Sequence, residues 1–373
     1  MNSFVDFKFR MRDVNYSFEE VKSLYLDETG KGFLDFRNHG SLGLGSFVDT
    51  IYDKKEYFDG EILSKNSGSI NHDQDNNSLI NLAEALGWEE SLRKYYHNDG
   101  EAIIRNFSKN RLNWLSRIPH VAGGKNFALE LGPGTGGVTR QLSKYYNVVA
   151  LDRSESNCAF NAIYAEQAKA SVLSVCKESP PLPFDDNQFE LVVLIGSLEW
   201  LGFYGNQSDP RDIVSDYLQE IYRVLKPGGS IYIASENAHY IAYFSGLSEA
   251  HTMLSYVSLL SQDDADLLSR DLTSKSFRNP TFSPVELEKA LLDIGFGVAN
   301  SYWLHPDYST PAYIIPLHIS DRMMSFFIDQ RLNPWDFRGE REFVHSFFSL
   351  LPKSLIKHFV EHYGVIASKP YTN

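Results

Sequence analysis

The sequence predicts an α/β protein, with a doubly wound, mostly parallel sheet preceded by a mainly helical N-terminal extension. Three observations predict it. From residue 126 onward, short apolar runs alternate with amphipathic segments, the order expected of parallel strands joined by crossover helices. A glycine-rich turn, "GPGTGG" (132–137), follows the first apolar run, at the edge where such sheets bind ligands. Upstream, residues 79–118 carry apolar positions at helical spacing.

Leu79–Leu86 and Trp88–Tyr96 read as helices, and Glu101–Ile118 follows with a looser rhythm through Ile103, Ile104, Phe107, Leu112 and Leu115. Before them, "SKNSGSINHDQDNNS" (64–78) has the long polar composition of a loop. Residues 1–120 are therefore expected to form an extension that leads into, and covers, a domain at 121–373. "FALEL" (127–131) is a short buried strand, and the glycines then open a helix to about Tyr146. "VVALD" (148–152), "SVLSV" (171–175) and "FELVVLIG" (189–196) are further strands, with a helix from Glu155 to Ala168 after the first of them. Asp212–Leu225 is amphipathic, and "PGG" (227–229) turns the chain into "SIYIASE" (230–236). After residue 318, "MMSFFIDQ" and "REFVHSFFSLLPKSLIKHFV" read as helices, and "YGVIASK" (363–369) as a last, antiparallel edge strand.

Composition narrows the function. The chain has 373 residues, 43% of them hydrophobic, ample for a large core and for two or three structural units. A formal net charge of −13 weighs against a nucleic-acid partner, whose phosphates reward basic surfaces. No run approaches the roughly 18 apolar residues of a membrane span, and the N-terminus lacks the apolar block of a secretory signal. The two cysteines, Cys158 and Cys176, have no metal-ligand spacing and fit a reducing, cytoplasmic setting.

The glycine turn fits two patterns at once. Gly132, Gly134 and Gly137 match a dinucleotide loop, whereas Gly132, Gly134 and Gly136 behind Glu130 match an S-adenosylmethionine loop. The physics is shared: glycines let the backbone bend and approach the ligand, and free N–H groups face its negative charge. An acid ending the second strand, Asp152, grips ribose hydroxyls in both cases. The later stations separate them. "KESPPLPFDDNQFELVV" (177–193) sets an acid, a Leu-Pro-Phe turn and an Asp-rich turn ahead of the fourth strand, and "YRVLKPGGSIYIASEN" (222–237) closes a helix with Pro-Gly-Gly.

On these motifs the chain resembles class I S-adenosylmethionine-dependent methyltransferases over roughly residues 126–300. The resemblance implies a seven-stranded, Rossmann-like sheet and S-adenosylmethionine as cofactor. Glu130 then takes the ammonium group of the donor's methionine part, held by Gly132, Pro133, Gly134 and Gly136. Asp152 accepts from the ribose hydroxyls, Arg153 lies beside the adenine, and Glu178 and Ser179 meet its amino edge. Gly196 and Ser197 border the reacting sulfonium. Position 178 departs from the Asp that such enzymes often carry.

A narrower resemblance lies downstream. "ASENAHYIAYFSGLSEAHT" (234–252), "FSPVELEKALLDIGF" (282–296) and "YWLHPDYSTPAYIIP" (302–316) look like stretches of methyltransferases encoded with bacterial surface-polysaccharide genes, as does "RLNWLSRIPHVAGGKNFALELG" (111–132). It implies O-methylation of a sugar, a glycan precursor or a related small polar metabolite. A sugar hydroxyl is a poor nucleophile and wants a base. His239 and His251 are the candidates, with Asp307 orienting a histidine or receiving the substrate; Glu199 and Tyr308 also fall at this edge. Asp307 equally suits a cap for the "PDYSTP" turn. The insertion 237–282 is long enough for a lid or acceptor pocket, and its aromatics suit stacking on a sugar or packing of a helix on the extension. "DDAD" (263–266) reads as the first turn of a helix rather than a metal site, so no metal is expected. The attacked atom stays open between oxygen, nitrogen and carbon. An NAD-dependent oxidoreductase and a non-catalytic cofactor-binding subunit are the rivals from other classes.

Overall fold

The computed structural model describes residues 4, 7–11, 14–19, 33–35, 76–96, 100–119, 126–177, 180–202, 209–320, 322–324 and 350–371. They fall into two compact units. The first comprises Met1–Leu194, Gln219–Ser230 and Tyr371–Asn373; the second comprises Ile195–Leu218 and Ile231–Pro370.

In chain order the first unit opens with strands β1 (Lys8–Met11), β2 (Val14–Ser17) and β3 (Leu34–Asp35), followed by helices α1 (Asn76–Leu86), α2 (Trp88–Tyr95) and α3 (Gly100–Ser108). Then come β4 (Phe127–Leu131), α4 (Thr139–Leu142), β5 (Asn147–Asp152), α5 (Glu155–Gln167), β6 (Val172–Cys176) and β7 (Phe189–Ile195). β1 and β2 form a separate antiparallel pair, with Lys8 opposite Ser17. The remaining strands run parallel in the order β7-β4-β5-β6-β3. All of β4 and β6 is buried, which is why these strands read as continuous apolar runs rather than alternating ones. In register, Leu129 pairs with Val149 on one side and Val192 on the other.

Aromatic packing explains the first residues of the chain. Phe7 lies 5.1 Å from Phe127, 5.8 Å from Phe184 and 5.4 Å from Phe189, ring centre to ring centre. Arg223 anchors the Leu-Pro-Phe turn by donating to the carbonyls of Leu182 and Phe184 and to the carboxylates of Glu220 and Asp186.

The second unit holds α6 (Leu198–Leu201), then, after the elements that supply residues to both units, α7 (Pro210–Val224) and β8 (Leu225–Glu236), it continues with α8 (Gln262–Thr273), α9 (Pro284–Ile294), β9 (Val298–His305), β10 (Tyr313–Pro316), α10 (Lys353–Ile356) and β11 (His362–Ser368). Its strand order is β10-β9-β11-β8, with β9 antiparallel to both β10 and β11. Ser283 and Glu286 form a capping box at the start of α9, the sequence signature of a helix N-terminus. Tyr240–Tyr243 pack on Ile356 with Leu247, Leu259, Leu351 and Phe359 around them, so this aromatic run is core of the second unit. Among the described residues no helix is long and apolar enough to cross a membrane.

The fold is the expected α/β, Rossmann-like one, with differences. Among the described residues, eight strands (β4–β11) and the two-residue β3 replace the expected seven, and they are mixed. The helix expected to reach Tyr146 is only Thr139–Leu142; backbone bonds three residues apart, such as Gln141 N–H to Val138 O, tighten the turns on either side. The "PGG" turn lies within β8, where Gly228 takes φ 80°. β11 stands between β9 and β8, not at an edge. Within 1–120 the described residues hold β1–β3 as well as α1–α3, and α3 stops at Ser108 rather than running on to Ile118. Most of "MMSFFIDQ" and "REFVHSFFSLLPK" lies outside the described residues.

Candidate functional site

In the first unit the site begins where β4 ends. Gly132, Gly134 and Gly136 take φ of 72°, 54° and 81°, a region costly for side chains with a Cβ. The turn is tied by Gly132 N–H to Leu151 O and by Gly136 N–H to Pro133 O, both 2.9 Å. Asn161 locks it from below, donating to Gly134 O at 2.8 Å. A Cβ on Gly136 would stand 2.1 Å from Asn161 Oδ1, so the sequence needs glycine there.

Two acids flank the turn. Glu130, on β4, is buried, and its Oε2 accepts from Thr139 Oγ1 at 2.6 Å. Burial pushes its carboxyl up to about 7, against the opposing pull of the Thr139 hydroxyl and Arg111. Asp152, ending β5, accepts from Gly134 N–H (3.1 Å), Ser154 N–H (2.8 Å) and Asn157 Nδ2 (3.1 Å). Burial raises it too, and those hydrogen bonds resist the rise. Asp152 thus braces the glycine turn and aligns the chain after β5. Arg153 follows it, its carbonyl 3.3 Å from Cys176 Sγ. Glu178 and Ser179 lie outside the described residues.

The second unit carries the other candidates. Gly196 takes φ 62°, and a Cβ there would lie 2.7 Å from the Tyr308 ring. Ser197 is buried just before α6. His239 is exposed after β8; its backbone N–H donates to Asn237 Oδ1 at 3.0 Å. Asp307 caps its own turn, accepting from Ser309 N–H and Oγ and from Thr310 N–H. Burial works against its charge, yet these bonds hold the carboxyl below its ordinary value.

His251 is the centre of a buried array. Its Nδ1 bonds to Glu249, and its Nε2 lies 3.3 Å from Glu199 Oε1. Glu199, Glu249 and His251 are 1%, 1% and 3% exposed, so the charges must answer one another. Burial opposes the imidazolium, but Glu249, Glu199 and Glu236 together raise His251 well above its ordinary value. The same pairing holds Glu249 below the usual carboxylate range despite burial. Glu236, the last residue of β8, is half-buried; Tyr243 Oη donates to its Oε2 at 3.2 Å. Burial raises its carboxyl, with His251 opposing.

Glu236, Glu249 and His251 offer ligand atoms within 4.8 Å of one another, close enough to suggest a cation. The two Glu249 oxygens, however, already take His251 N–H and ring N, and Thr252 N–H and Oγ1. With its lone pairs engaged, this carboxylate serves proton and hydrogen-bond chemistry better than metal ligation. Sequence reading singled out His251 and missed Glu236, at the end of β8, and Glu249, in the loop that follows. The signal was the short spacing "EAHT", an acid two places before a histidine.

Residues 129–233 match a family model described as a methyltransferase domain. The chain is a methyltransferase, with S-adenosylmethionine as its methyl donor. Among characterised proteins, the ubiquinone biosynthesis O-methyltransferases of two Rickettsia bellii strains are 22% identical over 237 residues, 62% of this chain and 92% of theirs. Among solved structures, a phosphoethanolamine N-methyltransferase 2 of Haemonchus contortus, in complex with phosphomonomethylethanolamine and S-adenosylhomocysteine, is 16% identical, with a TM-score of 0.40. The match covers 78% of this chain and 59% of that one, so this chain spans less than two thirds of its length. The [4+2]-cyclase SpnF is 19% identical over 70% of this chain and 81% of its own, with a TM-score of 0.38.

Proposed function

We propose that the chain methylates a hydroxyl group of a sugar, a glycan precursor or a related small polar metabolite in the cytoplasm. In this reading Glu130, Gly132–Gly136, Asp152 and Arg153 hold the donor, with Glu178, Ser179, Gly196 and Ser197 completing its contacts. Residues 1–120 act as a covering extension, and 237–282 contributes the acceptor pocket. The donor fits the first unit: a turn that only glycine tolerates, between a buried acid for an ammonium and a buried acid for ribose. Bound S-adenosylmethionine supplies a methyl group already activated on a sulfonium, so the chain's own task is alignment, exclusion of water and proton removal.

The single observation behind the hydroxyl acceptor is the Glu199–His251–Glu249 array with Glu236 beside it. An imidazolium held between two carboxylates lacks a free lone pair and is a poor base. Glu236 is better suited: it is half-buried, and burial raises its carboxyl, making it a stronger base, while the neighbouring imidazolium opposes the rise. It takes the hydroxyl proton as the oxygen attacks. His251 fixes that charge balance, and Asp307 shapes the loop that presents Tyr308. The Rickettsia relatives are O-methyltransferases, which supports oxygen as the attacked atom.

The test is a screen of nucleotide-activated sugars and free glycans with methyl-labelled donor, followed by Glu236→Gln. Label on a sugar oxygen, and turnover reduced about 10²–10⁴-fold with donor affinity unchanged, are expected. Label on nitrogen or carbon, or undiminished turnover in the variant, contradicts the proposal.

A further inference from the structure

Tyr308 takes no part in that proton transfer, yet its place in the second unit is closely specified. Asp307 fixes the turn beneath it: one carboxylate oxygen accepts from Ser309 N–H at 2.8 Å, Ser309 Oγ at 2.6 Å and Thr310 N–H at 2.8 Å. The phenol end of the tyrosine rests on Gly196. A Cβ there would stand 2.7 Å from Tyr308 Cε2 and 2.8 Å from its Oη, so glycine at 196 is what seats the ring. The Tyr308 ring also makes a T-shaped contact with the His362 ring, centres 5.1 Å apart.

These two contacts bracket the end of β8. Gly196 N–H donates at 2.8 Å to the carbonyl of Ala234, two residues before Glu236. Asn237, one residue after Glu236, donates its N–H at 2.9 Å to the carbonyl of Glu361, the neighbour of His362. His362 bears electrostatically on both Glu236 and Asp307. Tyr308 therefore spans the strand end that carries Glu236. It is half-buried, so part of the ring stays accessible. Tyr240 and Tyr243, the aromatic residues of the insertion nearest Glu236 in sequence, are committed elsewhere: they are buried in the core around Ile356.

A planar side chain placed in this way offers a surface rather than a proton. The C–H face of a cyclic sugar lies flat on an aromatic plane through dispersion and apolar burial. We infer that Tyr308 is the acceptor platform: it selects a cyclic polyol over an open-chain one and aims one of its hydroxyls at Glu236. The inference rests on the hydroxyl acceptor proposed above. Its effect is on binding and alignment, so it shows in KM before kcat.

The test uses the full chain with methyl-labelled S-adenosylmethionine and two acceptor classes, methyl glucoside and myo-inositol against mannitol and ribitol. Wild type is expected to prefer the cyclic pair. Tyr308→Leu keeps apolar bulk without a plane; it should raise KM for the cyclic acceptors at least about tenfold and leave kcat within about threefold. KM for the open-chain pair, and the calorimetric affinity for S-adenosylhomocysteine, should not change, and Tyr308→Phe should retain the preference. Tyr308→Met, in the same assay, decides the matter if circular dichroism shows that Tyr308→Leu does not fold. Equal labelling of both classes by wild type, a preference retained in the folded variant, or an equal rise in KM for both classes overturns the inference and leaves hydroxyl methylation standing. Label on none of the four while S-adenosylhomocysteine binds overturns the hydroxyl acceptor itself.

Discussion

In the proposed donor site, Glu130 makes donor binding a proton-release reaction. Its carboxyl, pushed up to about 7 by burial, is about half protonated at pH 7. An ammonium placed against it favours the carboxylate and returns the group toward its ordinary value of 4.5. Binding then expels about 0.9 proton at pH 6, about 0.5 at pH 7 and about 0.1 at pH 8. Affinity accordingly rises with pH, by up to about tenfold per unit below pH 7, and levels off above it. The free protein shows the converse. A carboxyl raised on folding adds stability that is full below pH 4.5 and is lost as pH climbs through 7, a difference of at most about 3 kcal/mol. Titration calorimetry with S-adenosylhomocysteine in two buffers of unequal ionisation enthalpy reads the proton count directly, and Glu130→Gln should abolish it. A binding enthalpy independent of buffer at pH 6, or proton uptake, would refute this placement of the ammonium.

Two further outcomes follow from the packing. Gly136→Ala forces φ 81° on a residue with a Cβ and drives that atom to 2.1 Å from Asn161 Oδ1, costing about 1–3 kcal/mol in urea unfolding and weakening donor affinity with it. His251→Asn leaves Glu199 and Glu249 buried without their cation. Stability should fall by about 3–5 kcal/mol at pH 7; equal melting of variant and wild type at pH 7 would show that no ion-paired array exists.

Much of the fold was legible because its signals are local. The runs "FALEL" and "FELVVLI" needed no tertiary information to read as buried strands. The Gly132–Gly136 spacing announced a tight turn because few residues tolerate those dihedrals. What stayed hidden depends on distant partners. The length of α4 is set by tight turns either side of four residues, which helical period cannot reveal. Glu236 acquires its role only when the end of β8 comes beside His251.

The most direct measurement is a crystal structure of the chain with S-adenosylhomocysteine. It should show the amino-acid tail along Gly132–Gly136 with its nitrogen on Glu130, and the ribose hydroxyls on Asp152 beside the existing bonds to Gly134, Ser154 and Asn157. Ligand density elsewhere, or a turn empty at saturating ligand, would contradict the central claim that this glycine turn and its two buried acids hold the methyl donor.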